Sequence, residues 1–288
     1  MRSRILFLGT GGDISLTGRS IRSSGGIIIQ TQNCQFHIDP GIGAVLKAAQ
    51  YGVDIREHTA VLVSHAHTNH AGEIGSLLCA LSHNGLDPHG VVIASRSVCQ
   101  GLHDNIPRLT PFYKSCVEKV IMSEAGNRVG IEDVEIVALA THHTDASAVG
   151  FRITTPEFVV SYTSDTAFDK DLAQNYKGSN ILILNTLYPF ENEAQEGLSS
   201  KDVVKILKAT MPNLAIITHF GSKMLQANPL YESREIQKQT GVQVVAAEDG
   251  LCVDPVSYAA ELRQTTLSMF KAVEKDQVQS TRLPEEKG

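Results

Sequence analysis

The short apolar run 60–64, Ala-Val-Leu-Val-Ser, stops abruptly in His65-Ala66-His67-Thr68-Asn69-His70. Such a run has the length and β-branched content of a buried strand. Leaving a strand through three closely spaced histidines brings several imidazoles to one edge of a sheet. His65 and His67, two apart in extended chain, point the same way, and His70 lies where a helix over 71–82 begins. Clustered imidazoles repel when protonated, so a metal ion is the economical occupant, and imidazole suits zinc, iron and related ions.

The same placement recurs. His142 and His143 directly follow the run 134–140, Asp165 follows 158–164, and His219 follows 214–218. If these runs end at one sheet edge, where sites on α/β scaffolds are built, their donors share a small volume. The donors exceed the three or four that a single zinc ion takes, so two adjacent ions are expected.

Further β-rich runs cover 4–9, 26–30, 34–39, 91–95, 150–154, 181–185 and 242–247. Helical patterns cover 42–50, 71–82, 167–175, 200–210 and 228–239, the last stopped by Gly241. Early strands come one after another at close spacing and later ones alternate with helices, which predicts a layered α/β architecture of mixed sheets under outer helices. With 288 residues and 42% hydrophobic content the chain can bury a sizeable core. One domain is expected over 1–270, including a helix that starts within 257–275. A charged, flexible tail is expected over 271–288.

A net charge of −6, from 25 basic and 31 acidic residues, gives no basic field, so strong nonspecific binding to nucleic acid is not expected. The five cysteines lack any CxxC spacing and read as buried free thiols. Glycines rather than a cleavage site succeed the first apolar run, and no apolar stretch approaches the roughly 18 residues of a membrane span, so a cytoplasmic location is expected. The stretch Leu8-Gly9-Thr10-Gly11-Gly12 lacks the GxGxxG spacing of a dinucleotide loop, and residues 14–26 are polar and glycine-rich without helical periodicity; its glycines read as a tight turn beneath a site.

HxHxxH, a histidine in His-Thr-Asp-Ala-Ser, Asp165 in Ser-Asp-Thr and His219 in Thr-His-Phe-Gly, in that order, resemble the metallo-β-lactamase superfamily, over residues 4–254. The nearest likeness is to its ribonuclease Z-like and cyclic-phosphodiesterase-like branch. The resemblance implies an αββα sandwich with a dinuclear site at one edge. It implies that His65, His67 and His143 hold one metal, that His70 and His219 hold the other, and that Asp165 bridges them. His142 is then a supporting or substrate-facing residue, and Asp39 in His-Ile-Asp-Pro-Gly supports the ligand loop from beneath.

The departures from the family pattern are informative. Asn69 stands where the usual HxHxDH has an acid, so it cannot ionise or act as a base. A weaker or absent second metal is expected, or a different one such as manganese or iron beside zinc. The acidic and histidine residues of ribonuclease Z have no counterparts near Asn185, Thr186 and Gly197, which argues against tRNA processing. The leading expectation is hydrolysis of a phosphodiester by metal-activated water, with Asp165, His219 and Asn69 at the reaction centre and Ser222 and Lys223 holding a small anionic or nucleotide-like substrate. Hydrolysis of a carbonyl ester, thioester or lactone, and a metal-binding role without catalysis, stay open alternatives. Residues 100–116 suit a lid, an arm forming a homodimer, or a plain connection.

Overall fold

The computed structural model describes residues 2–102, 106–192 and 196–259. The expected tail over 271–288 and most of the expected helix over 257–275 lie outside them. The first group of strands is β1 Arg4–Phe7, β2 Ile27–Gln30, β3 Gln35–Ile38, β4 Ala60–Val63, β5 Val91–Ala94 and β6 Lys119–Met122. The second is β7 Arg128–Ile131, β8 Val134–Ala140, β9 Val149–Thr154, β10 Val159–Tyr162, β11 Ile181–Tyr188, β12 Leu198–Ser199, β13 Leu214–Thr218 and β14 Gln243–Ala246, and β15 Cys252–Val253 returns to the first. One sheet runs β15-β1-β2-β3-β4-β5-β6, and the other runs β14-β13-β11-β10-β9-β8-β7 with β12 beside β11. Both are mixed: β1 to β3 pair antiparallel and β3 to β6 parallel, while β7 to β10 pair antiparallel and β10, β11, β13 and β14 parallel.

Side-chain alternation explains why most of these strands are apolar on both faces. Ile5, Phe7, Ile27 and Ile29 enter the core between the two sheets, and Leu214 and Ile216 meet them from the other side. Their neighbours turn outward: Leu6 and Ile28 face a cluster with Ala48, and Ala215 and Ile217 pack under Val203, Leu207 and Ile236. Helices Ile74–Leu81, Ser200–Thr210 and Pro229–Thr240 supply much of this outer cover. The result is the metallo-β-lactamase fold, an α/β sandwich with four layers. Ser200–Thr210 starts at a reciprocal cap between Ser199 and Asp202, which satisfies backbone donors the helix cannot pair internally.

Several local expectations are corrected. The stretch after Gly12 contains a short helix, Ile14–Gly18, capped by Asp13 through the Ser15 N–H, where the polar sequence reads as loop. The expected helix over 71–82 is two pieces, Thr68–Ala71 and Ile74–Leu81. Strands β6, β7, β12 and β15 have no counterpart among the expected runs; β6 and β7 are only half-buried, so their sequences carry little apolar signal, and β12 and β15 are two residues each. All five cysteines are free, but only Cys34, Cys99 and Cys116 are buried, whereas Cys79 is half-buried and Cys252 exposed. No helix among the described residues is long and apolar enough to cross a membrane.

Candidate metal centre

The first support of the site is Asp39, just past β3. Its Oδ1 accepts the Ser64 backbone N–H at 2.7 Å. Its Oδ2 accepts from Ser64 Oγ at 2.7 Å, Tyr162 OH at 2.7 Å and His70 Nδ1 at 2.8 Å. These bonds settle two tautomers. Ser64 spends its only proton on Asp39, so its oxygen, 3.0 Å from His65 Nδ1, accepts from that nitrogen. His65 and His70 therefore both carry hydrogen on Nδ1 and turn Nε2 toward the site.

His65 Nε2 lies 3.0 Å from His67 Nδ1, which lies 3.2 Å from His143 Nε2. A tetrahedral ion with metal–nitrogen bonds of about 2.0–2.1 Å spaces its donors about 3.3 Å apart, so both of these neighbouring pairs already stand near coordination spacing. The second group meets at Asp165, whose Oδ2 is 3.1 Å from His70 Nε2 and whose Oδ1 is 3.1 Å from His219 Nε2. Asp165 Oδ2 is also 3.9 Å from His65 Nε2, so the carboxylate stands between the two groups. His65, His67 and His143, and separately His65, His70 and Asp165, have donor atoms close enough to share an ion.

The charge states suit metal uptake. Burial, with the neighbouring imidazoles, holds His65 well below the ordinary histidine pKa and lowers His67 and His143 too, leaving bare nitrogens at neutral pH. Burial also works against a charged His70, but Asp165 and Asp39 outweigh it and raise its pKa to about 10. A proton, or a cation in its place, has to sit between His70 Nε2 and Asp165. Burial works against a charged Asp165 as well, yet His219 and His70 hold its carboxyl well below the usual range. His143 Nδ1 is buried and has no hydrogen-bond partner among the described residues, while its Nε2 faces His67.

Residues 35–220 match the beta-lactamase superfamily domain. The chain belongs to this superfamily. It is 30% identical, over 88% of its length and 96% of the other, to an uncharacterized protein of Methanocaldococcus jannaschii. It is 22% identical to ribonuclease Z of Methanopyrus kandleri, covering 86% of this chain and 96% of that one. Among solved structures it is similar to the metallo-β-lactamase fold protein YhfI from Bacillus subtilis, with a TM-score of 0.74 at 19% identity over 87% of this chain and 98% of that one.

In this superfamily member the expected ligand residues are brought together, each at a strand end: His65, His67 and His70 after β4, His143 after β8, Asp165 after β10 and His219 after β13. Asn69 Nδ2 lies 3.2 Å from both Gly12 O and His219 Nε2. The Gly12 carbonyl can only accept, which orients the amide and sets its Nδ2 against His219 Nε2, the nitrogen that also faces Asp165 Oδ1. His142 is exposed and is tied down by its backbone, through its N–H to Thr166 Oγ1 and its carbonyl to the Ala167 N–H. Ser222 and Lys223 are exposed in the first turn after Gly221, and the cavity beside Asn69, His70 and His219 is not lined by them. Within 106–116, Leu109 and Cys116 are buried and the Tyr113 ring packs on Gly75, whereas Ile106 and Phe112 are exposed; residues 103–105 lie outside the described residues.

Four positioning residues escape a sequence reading. Tyr162 holds Asp39, and Asn185 Nδ2 donates to Asp165 Oδ1 at 2.7 Å and to Tyr162 OH at 3.0 Å. Asp145 accepts the Ala66 N–H and so joins the loop of His143 to the loop of His65. Asp249 accepts from Thr10 and from the Ser23 N–H, fixing the glycine loop. Asn185 closes an apolar run as the ligands do, which is the one signal available; the other three pair with residues distant in sequence.

Proposed function

We propose that the protein is a metal-dependent hydrolase of a phosphodiester, of the small, cyclic nucleotide-like or RNA type. The observation that carries this reading is the pair of donor groups meeting at Asp165, with His65, His67 and His143 on one side and His70 and His219 on the other. The nitrogen-rich first group suits zinc, and manganese or iron is an option where the second adds carboxylate oxygen. Such an ion, when bound, acidifies a water and neutralises charge that develops at the attacked centre.

The chain's own residues supply the rest. Asp165 stays ionised and holds the His70 and His219 rings in place, while Asp39 fixes the His70 tautomer. Asn69 takes no proton, and its amide lies against His219 Nε2. Ser222 and Lys223, exposed in the turn past His219 though not lining the cavity beside it, are the substrate contacts of this reading. Similarity to a ribonuclease Z favours phosphoryl over carbonyl substrates. A second reading, metal binding without turnover, is favoured by Asn69, an amide that cannot ionise where the superfamily pattern has an acid.

Zinc-reconstituted protein assayed on bis(p-nitrophenyl) phosphate, a cyclic nucleotide, a thioester and a lactone separates these readings. Phosphodiester turnover that chelation removes, and that Asp165→Asn lowers at least 100-fold, is expected. Turnover of the thioester or lactone alone moves the substrate class. Turnover that appears only in Asn69→Asp supports the non-catalytic reading.

A further inference from the structure

Of the ten arginines among the described residues, five find carboxylates, Arg2 with Asp254, Arg22 with Glu248, Arg56 with Asp87, Arg96 with Glu124 and Arg128 with Glu135, while Arg4, Arg19, Arg152 and Arg234 have none within ion-pair distance. Among the described residues no carboxylate stands within ion-pair distance of Arg108 either, although it is half-buried. Its guanidinium instead grips the ligand loop on both sides of His67, Nε donating to Ala66 O at 2.9 Å and Nη2 to Thr68 Oγ1 at 3.1 Å.

The backbone holds this arginine firmly. The N–H groups of Arg108 and Leu109 both donate to Val98 O, and the Leu109 side chain is buried. Among the described residues the two protein bonds use one Nε hydrogen and one Nη2 hydrogen, and no other acceptor there takes the Nη1 hydrogens or the second Nη2 hydrogen, which suit a ligand. Thr68 Oγ1 accepts from Arg108, so its own proton is also available. Both His67 and Thr68 are exposed. A fixed positive charge with a hydroxyl donor thus flanks the open side of the first donor group, and planar N–H groups of this kind match phosphoryl oxygens.

We infer that Arg108 and Thr68 form an oxyanion clamp at the mouth of the site and select a phosphoryl group beside His67. The inference deepens the proposed reading, and rests on it for the phosphoryl class. The clamp is distinct from Ser222 and Lys223, which stand past His219.

Isothermal titration of inorganic phosphate into the zinc-loaded protein, with zinc content measured on the same samples, tests it without turnover. Arg108→Gln is expected to weaken phosphate binding about tenfold with zinc content unchanged, Arg108→Lys to weaken it less, and acetate at equal ionic strength to bind more weakly than phosphate to the natural protein. Equal phosphate affinity in Arg108→Gln overturns the clamp, as does acetate binding as tightly as phosphate. Loss of zinc in Arg108→Gln also overturns it, because the arginine then only staples the loop. No phosphate binding by the natural zinc-loaded protein refutes the clamp, whereas the hydrolase reading fails only if no ester is turned over.

Discussion

Asp39 shows how much one side chain can carry. It adopts a left-handed backbone (φ 52°), as do Ser164 (φ 56°) and His219 (φ 60°), and such non-glycine conformations cost about 1–3 kcal/mol each unless surrounding bonds determine them. At Asp39 the determining bonds are the four donors from Ser64, Tyr162 and His70. Asp39→Asn places an NH2 group where only acceptors fit. It is expected to cost about 2–4 kcal/mol in urea unfolding and to weaken zinc about 10–100-fold in chelator competition. The ligand histidines were legible because each stands at or just past the end of an apolar run. Asp39 was legible only through its motif, and Tyr162 not at all, since a tyrosine at the end of a buried strand reads as core.

At the scale of elements, the loops meet at distances only glycine permits. A Cβ on Gly41 would stand 2.1 Å from Asn69 O, and one on Gly12 would stand 2.4 Å from His219 O. The glycine loop is stitched to the ligand strand as well, the Gly12 N–H donating to Phe220 O and the Phe220 N–H to Thr10 O. Gly41→Ala should therefore displace the turn that carries Asn69, costing about 1–3 kcal/mol or more in thermal or urea unfolding. Gly130→Ala, in β7 where a Cβ meets nothing within 4 Å, should stay within about 0.5 kcal/mol. The apolar runs announced most strands, but edge strands β6 and β7 stayed hidden because half their residues face water.

For the whole molecule, buried histidines away from the metal centre set the acid limit of stability. His37 Nε2 donates to Gly25 O at 2.8 Å, so its Nδ1 accepts from His58 Nε2 at 3.1 Å, and His58 Nδ1 accepts from Gln35 Nε2 at 2.6 Å. This chain is complete with both rings neutral. Burial lowers His37 to about 4, and burial together with His37 holds His58 well below its ordinary value. The unfolded rings protonate first, so stability is full above pH 6.5 and falls as pH drops toward 4, by about 3 kcal/mol from His37 alone in urea titrations at stepped pH. His70 acts oppositely without metal: its raised pKa gives stability present below pH 6.5 and lost as pH rises through about 10. Metal couples to the same equilibrium. Zinc at about 100 times its dissociation constant should add about 2.7 kcal/mol, which chelation removes as a drop of about 4–5 °C in Tm by scanning calorimetry.

The sequence by itself determined which residue types stand at which strand ends, because strand length, the apolar run and the residue just past it are local facts. Its motif order determined the superfamily, and with it the sandwich. Only the tertiary structure decided which nitrogen of each histidine turns inward, since that depends on Ser64 and Asp39 meeting across two strands. It also decided that the Asn69 amide faces Gly12 and His219, and that Arg108 lies beside His67. These contacts join residues far apart in the chain, and hydrogen-bond geometry between distant segments leaves no periodicity for a sequence to carry.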